Sequence, residues 1–178
     1  MNIDSESVTA MPSIQDCFSD GSAVDIWAFI RCEKYTGKTP IPFKSEDSRI
    51  IDDFNYTAFG AIIVSERMAV CLRDISPNDF ELIPCLINNN YTSLIVNVLA
   101  NPDCIDTAAS IIQYYPPDDP EKPNKPRGVI KLVIDSAQAS PHHILRPKYW
   151  QVEIVISQIF KDAFEQGKFT GMRFSPAY

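Results

Sequence analysis

Between residues 151 and 176 the hydrophobic pattern changes period twice. Val152, Ile154 and Ile156 alternate with Gln151, Glu153 and Val155, the period of two that an extended strand imposes on its faces. From Ser157 onward, Ile159, Phe160, Ala163 and Phe164 recur at helical spacing, while Lys161, Asp162, Glu165 and Gln166 take the opposite face. A serine hydroxyl accepts from the free N–H groups of a first turn, and Gly167 can adopt the left-handed conformation that closes a helix. Residues 172–174 then resume an extended pattern that Pro176 ends. The spacing predicts strand, serine-capped helix, strand.

The same pattern occurs earlier. With residues 61–84 written beneath this unit and no gap, Ser65 aligns with Ser157, Met68 with Phe160 and Leu72 with Phe164. An internal duplication leaves such a match, and so does the generic form of a capped amphipathic helix between two strands.

The remaining pattern is strand-rich. Residues 23–30 are read as a strand with Trp27 as a core anchor. Residues 35–53, with Pro40, Pro42 and seven charged side chains from Lys38 onward, are read as an irregular excursion. Residues 80–87 and 91–99 form an expected antiparallel hairpin about the turn-forming Asn88, Asn89 and Asn90. Two further strands, 111–115 and 128–135, flank a connector with five prolines and no other apolar side chain. Such a connector packs no core and projects as a stiff polar loop. The polar first dozen residues are expected to be a disordered tail, and residues 13–178 a single domain. Strands that outnumber two good helices define an α+β class, mostly antiparallel.

Composition narrows the function. The 178 residues carry a net charge of −7, which disfavours nucleic acid and anionic membranes and suits a basic partner. Residues 1–60 hold ten acids against five bases, whereas residues 128–178 hold four against six. Glu46, Asp47, Asp52 and Asp53 in the excursion, and Asp118, Asp119 and Glu121 in the proline-rich loop, are the candidate partner-binding acids. Acids that only keep a small protein soluble give the same composition. The five cysteines, odd in number and without a C-x-x-C pair, fit a reducing cytoplasm. No apolar run is long enough for a bilayer and no secretory signal is evident.

No phosphate-binding glycine loop, nucleophile elbow or zinc-protease helix is present, so no catalytic residue, cofactor or metal ligand is assigned. His142 and His143 are adjacent, and an extended backbone points them in opposite directions, away from a shared metal. A hydrolase or transferase using these histidines with Cys32 or Cys71 is the alternative that a pocket joining them would support. A non-catalytic, self-associating adaptor is a third, told apart by solution mass and by an exposed apolar patch.

Val64-Ser65-Glu66-Arg67 with its helix and the Phe80 to Pro84 strand, and above all the ending Thr170-Gly171-x-x-Phe174-x-Pro176, resemble a bacterial family of toxin immunity proteins. Residues 91–99 with 103–106 are similar to its middle segment. The resemblance spans about residues 59–176. It implies a non-enzymatic cytoplasmic protein, encoded beside a polymorphic or type VI secreted toxin, that protects its producer by binding that toxin. The matched blocks are caps, core faces and strand ends, so specificity is expected to lie in the variable loops.

Overall fold

The computed structural model describes residues 2–4, 13–45 and 52–177. A six-stranded sheet is built from β2 (Ser13–Ile14), β3 (Ile41–Lys44), β4 (Phe54–Tyr56), β5 (Ile62–Val64), β6 (Phe80–Ile87) and β7 (Tyr91–Val98), in the order β2-β3-β6-β7-β5-β4. A second sheet joins β10 (Ile144–Leu145), β11 (Val155–Ile156), β1 (Asn2–Asp4) and β12 (Arg173–Ser175) in that order. β8 (Ile111–Tyr114) and β9 (Pro126–Lys131) pair as a separate two-stranded arm. The helices are α1 (Glu66–Ile75), the short α2 (Ser136–Ala139) and α3 (Gln158–Gln166). All described pairings are antiparallel except β3 with β6, so the fold is α+β.

The central sheet is buried on both faces, which is why β5 reads as an unbroken apolar run. Ile62 and Val64 face a core that holds Met68 and Leu72 of α1 and Phe160 and Phe164 of α3. Ile63, between them in sequence, joins Phe29, Phe43 and Ile95 in the core on the opposite face. A smaller cluster of Ala100, Cys104, Leu132, Leu145 and Val155 underlies the arm.

The two aligned units share more than sequence spacing. In the order β4-β5-β7-β6, the strands before and after α1 are separated by β7. In β10-β11-β1-β12, the strands before and after α3 are separated in the same way by β1. The caps correspond too. The Ser65 N–H donates to the Asp53 carbonyl at 3.0 Å, and the Ser157 N–H to the His143 carbonyl at 3.1 Å. The Ser65 hydroxyl accepts from the Met68 N–H at 3.3 Å and that of Ser157 from the Phe160 N–H at 3.2 Å.

Several expectations are corrected. Residues 23–30 begin with a bridge from Ala23 to Cys17 and run through a turn into a 3-10 helix (Ala28–Ile30); Ala28 and Phe29 are its core residues, and Trp27 is 52% exposed. The excursion contains β3, whose Ile41 and Phe43 are fully buried because they pair with β6. Asn2–Asp4 pairs with β12 and β11. The strand before Ser157 is only Val155–Ile156, and Val152 lies exposed in the preceding turn. Gly167 is right-handed at φ −72°. Its need for glycine is spatial, since a Cβ there would lie 2.2 Å from the Phe169 ring.

Candidate partner-binding surface

The seven acids do not share one role. Asp53 is structural: Arg67 clamps it through Nε at 2.8 Å and Nη2 at 2.5 Å, the Ser65 hydroxyl donates at 2.6 Å, and the Thr170 N–H donates at 3.1 Å. Burial alone would raise its carboxyl pKa. The Arg67, Ser65 and Thr170 hydrogen bonds outweigh that and hold it below the usual carboxylate range. Asp52 packs at the same junction, where Gly171 (φ +93°) passes so close that a Cβ would lie 2.5 Å from the Asp52 Cβ. Glu46 and Asp47 lie outside the described residues.

The remaining three occupy the loop between β8 and β9. Asp119 accepts from the Glu121 and Lys122 N–H groups at 3.0 and 2.7 Å, which folds the loop into a turn. Asp118 and Glu121 are exposed, and Lys122, Lys125 and Arg127 follow at once, so the arm carries both signs of charge. Lys122 and Arg127 both lie over the Tyr115 ring, at 5.6 and 5.9 Å from its centroid.

The two histidines are tied to structure as well. Nδ1 of His142 is 2.6 Å from Asp79, and Nδ1 of His143 is 3.0 Å from the Ser157 hydroxyl. Both rings line a cavity of about 310 Å³ with Ser157, and neither Cys32 nor Cys71 reaches it. Burial pushes the Cys32 thiol up to about 11 and raises that of Cys71, which disfavours the nucleophilic thiolate. Among the described residues, no three His, Cys, Asp or Glu side chains gather as a metal site, and no helix is long and apolar enough to cross a membrane.

Several exposed hydrophobic side chains are aromatic. Trp27 and Phe59 meet edge to face, with ring centroids 5.0 Å apart, and both are accessible. The residue after Phe59, Gly60, offers its carbonyl to Nη2 of Arg146 at 2.5 Å, and Nη1 of the same side chain reaches the Gln151 carbonyl at 2.7 Å. Arg146 is wholly buried. Beyond it the turn carrying Tyr149 and Val152, both more than half exposed, is held by the Tyr56 hydroxyl donating to the Val152 carbonyl at 3.2 Å. Tyr149 and Gln151 also line a groove of about 650 Å³ against Ile112, Tyr114 and Lys122 of the arm. One buried arginine thus anchors two aromatic-bearing loops, and the second loop meets the arm.

Sequence reasoning missed this group because Trp27 sits among strand-forming residues and reads as core. A lone arginine between Leu145 and Pro147, after the apolar Ile144, was the available signal for Arg146.

Capped helices thus pack on a sheet buried on both faces, and the loops around it project aromatic and charged side chains. The chain belongs to the Immunity protein family (Imm11), which matches residues 7–178. No curated protein matches it.

Proposed function

We propose that this protein is the immunity partner of a secreted bacterial toxin, which it neutralises by direct, non-catalytic binding in the cytoplasm of the producing cell. Membership of the immunity family over residues 7–178 carries this reading. The net charge of −7 supports a toxin with a basic surface, such as a polymorphic or type VI effector with a basic substrate cleft, because opposite charge speeds the encounter. Asp118 and Glu121, exposed on the arm, are the acids of the original set best placed to meet that surface. Asp53 is already bound within the fold.

The test is co-expression with the toxin encoded by the adjacent gene. Growth arrest by that toxin alone, rescued by this protein and accompanied by co-purification, supports the reading. A neighbouring product that is harmless without this protein removes it. Charge reversal at Asp118 and Glu121 then tests the arm: slower association that is less sensitive to salt is expected, whereas unchanged kinetics would leave the arm as a solvated loop.

A further inference from the structure

Seven non-glycine residues among those described have positive φ, and three of them are asparagines, which tolerate it. Phe59 (φ 64°) and Tyr149 (φ 71°) are different: both are bulky aromatics, and both are exposed. A left-handed backbone at such a residue works against folding, and a ring left about half exposed offsets only part of that loss. Folding alone therefore does not account for either side chain. The two lie on the loops that Arg146 joins, through the Gly60 and Gln151 carbonyls. The need for glycine at position 60 reinforces the arrangement, since a Cβ there would lie 2.4 Å from Ile30 in the segment that carries Trp27.

We infer that Trp27, Phe59, Tyr149 and Val152 form an anchor surface, preset by buried Arg146, that docks into an uncharged apolar cleft of the toxin. This rests on the immunity reading above and specifies the contact. Exposed Trp and Tyr on fixed backbone are the residue types that dominate binding energy at interfaces, because they cover large areas with few rotatable bonds.

The charges beside these anchors define the chemistry of the occupant. Asp25 is bonded to Arg31 next to Trp27, and Asp103 lies 3.9 Å from Lys148 next to Tyr149. Lys148 also lies over the Tyr149 ring at 5.1 Å. With these charges paired inside the chain, the complementary surface is apolar rather than basic. The overall negative charge then acts on association, and the anchors on dissociation.

The experiment measures binding kinetics with the purified product of the adjacent toxin gene as probe. Trp27→Ala and Tyr149→Ala are expected to raise Kd about thirtyfold or more, mainly through a faster off-rate that salt does not change. Phe59→Gly is the discriminating variant. It relieves the left-handed strain, so its Tm should stay level or rise while Kd rises about tenfold or more. Asp25→Asn and Asp103→Asn should change Kd less than about threefold.

A combined Trp27, Phe59 and Tyr149 variant that binds within threefold of the parent would overturn the anchor surface and leave immunity standing. A parent protein that does not bind the toxin at all would overturn both. A solution dimer that Trp27→Ala dissociates would assign the surface to a second copy of this chain and overturn the toxin as its occupant.

Discussion

The Asp79 carboxylate lies 2.6 Å from Nδ1 of His142, although 63 residues separate them in the chain. The same carboxylate accepts from the Ser76 hydroxyl, the His143 N–H at 2.7 Å and the Ile144 N–H at 3.4 Å. It therefore ties the end of α1 to the segment that starts β10. Burial alone would raise its pKa, but the Ser76 and His142 bonds and the two backbone N–H groups prevail and lower it. A folded carboxyl below its unfolded value contributes stability that is present above about pH 4 and lost as pH falls through the folded value. Thermal melts from neutral to acid pH should show Tm falling in that window. In Asp79→Asn the acid loss should be smaller, and stability at neutral pH should be lower by about 1–3 kcal/mol.

Arg146 is a buried cation with no carboxylate partner among the described residues; its bonds go to the Gly60 and Gln151 carbonyls, and its Nε has none. Arg146→Ala removes both bonds and opens a cavity, so a loss of about 3–5 kcal/mol is expected in chemical denaturation. Arg146→Met fills the space and removes the desolvated charge, and should recover at least about 1 kcal/mol of that loss. Equal stability of the two variants would mean that volume matters little and that the carbonyl bonds carry the effect.

The capped helices were legible because the apolar period and the serine hydroxyls act within a few residues of each other. Met68, Leu72, Phe160 and Phe164 are buried as their spacing requires. The β6–β7 hairpin was legible for the same local reason, with Asn88 and Asn89 in left-handed turn positions. What escaped depends on distant partners. β3 contains Pro42, follows Pro40 and is flanked by charges, and is a strand only because β6, about forty residues on, offers a parallel edge. Asp53 read as surface charge because its partners Arg67 and Thr170 lie 14 and 117 residues away. The exposed aromatics were illegible for a further reason: hydrophobicity predicts burial, and an exposed Trp27 departs from that rule.

Gly171 shows what the family-like ending contributes. Its backbone is left-handed, and an added Cβ would lie 2.0 Å from the Phe54 carbonyl oxygen, the residue whose N–H donates to the Thr170 carbonyl at 3.1 Å. Gly21 is also left-handed, at φ +80°, but has nothing within 4 Å of the same position. Gly21→Ala should therefore cost about 1 kcal/mol through backbone conformation alone. Gly171→Ala adds a backbone clash, so a loss at least about 2 kcal/mol larger is expected in denaturant titrations. If the two variants prove equally stable, the close approach at Phe54 relaxes without cost.

Ser157 separates scaffold from interface. Its hydroxyl caps α3 through the Phe160 N–H and meets Nδ1 of His143, while its N–H holds the His143 carbonyl. Substitution to alanine keeps the backbone bond and removes the cap, a change of about 0.5–2 kcal/mol. Ser65→Ala should cost a similar amount through α1, and more if the Asp53 carboxylate is left without one of its donors. Neither serine belongs to the aromatic surface around Arg146. Both variants should therefore lower Tm while the folded fraction keeps parental affinity for the toxin. A large loss of affinity in Ser157→Ala at unchanged Tm would move the interface onto α3 and away from Trp27 and Tyr149.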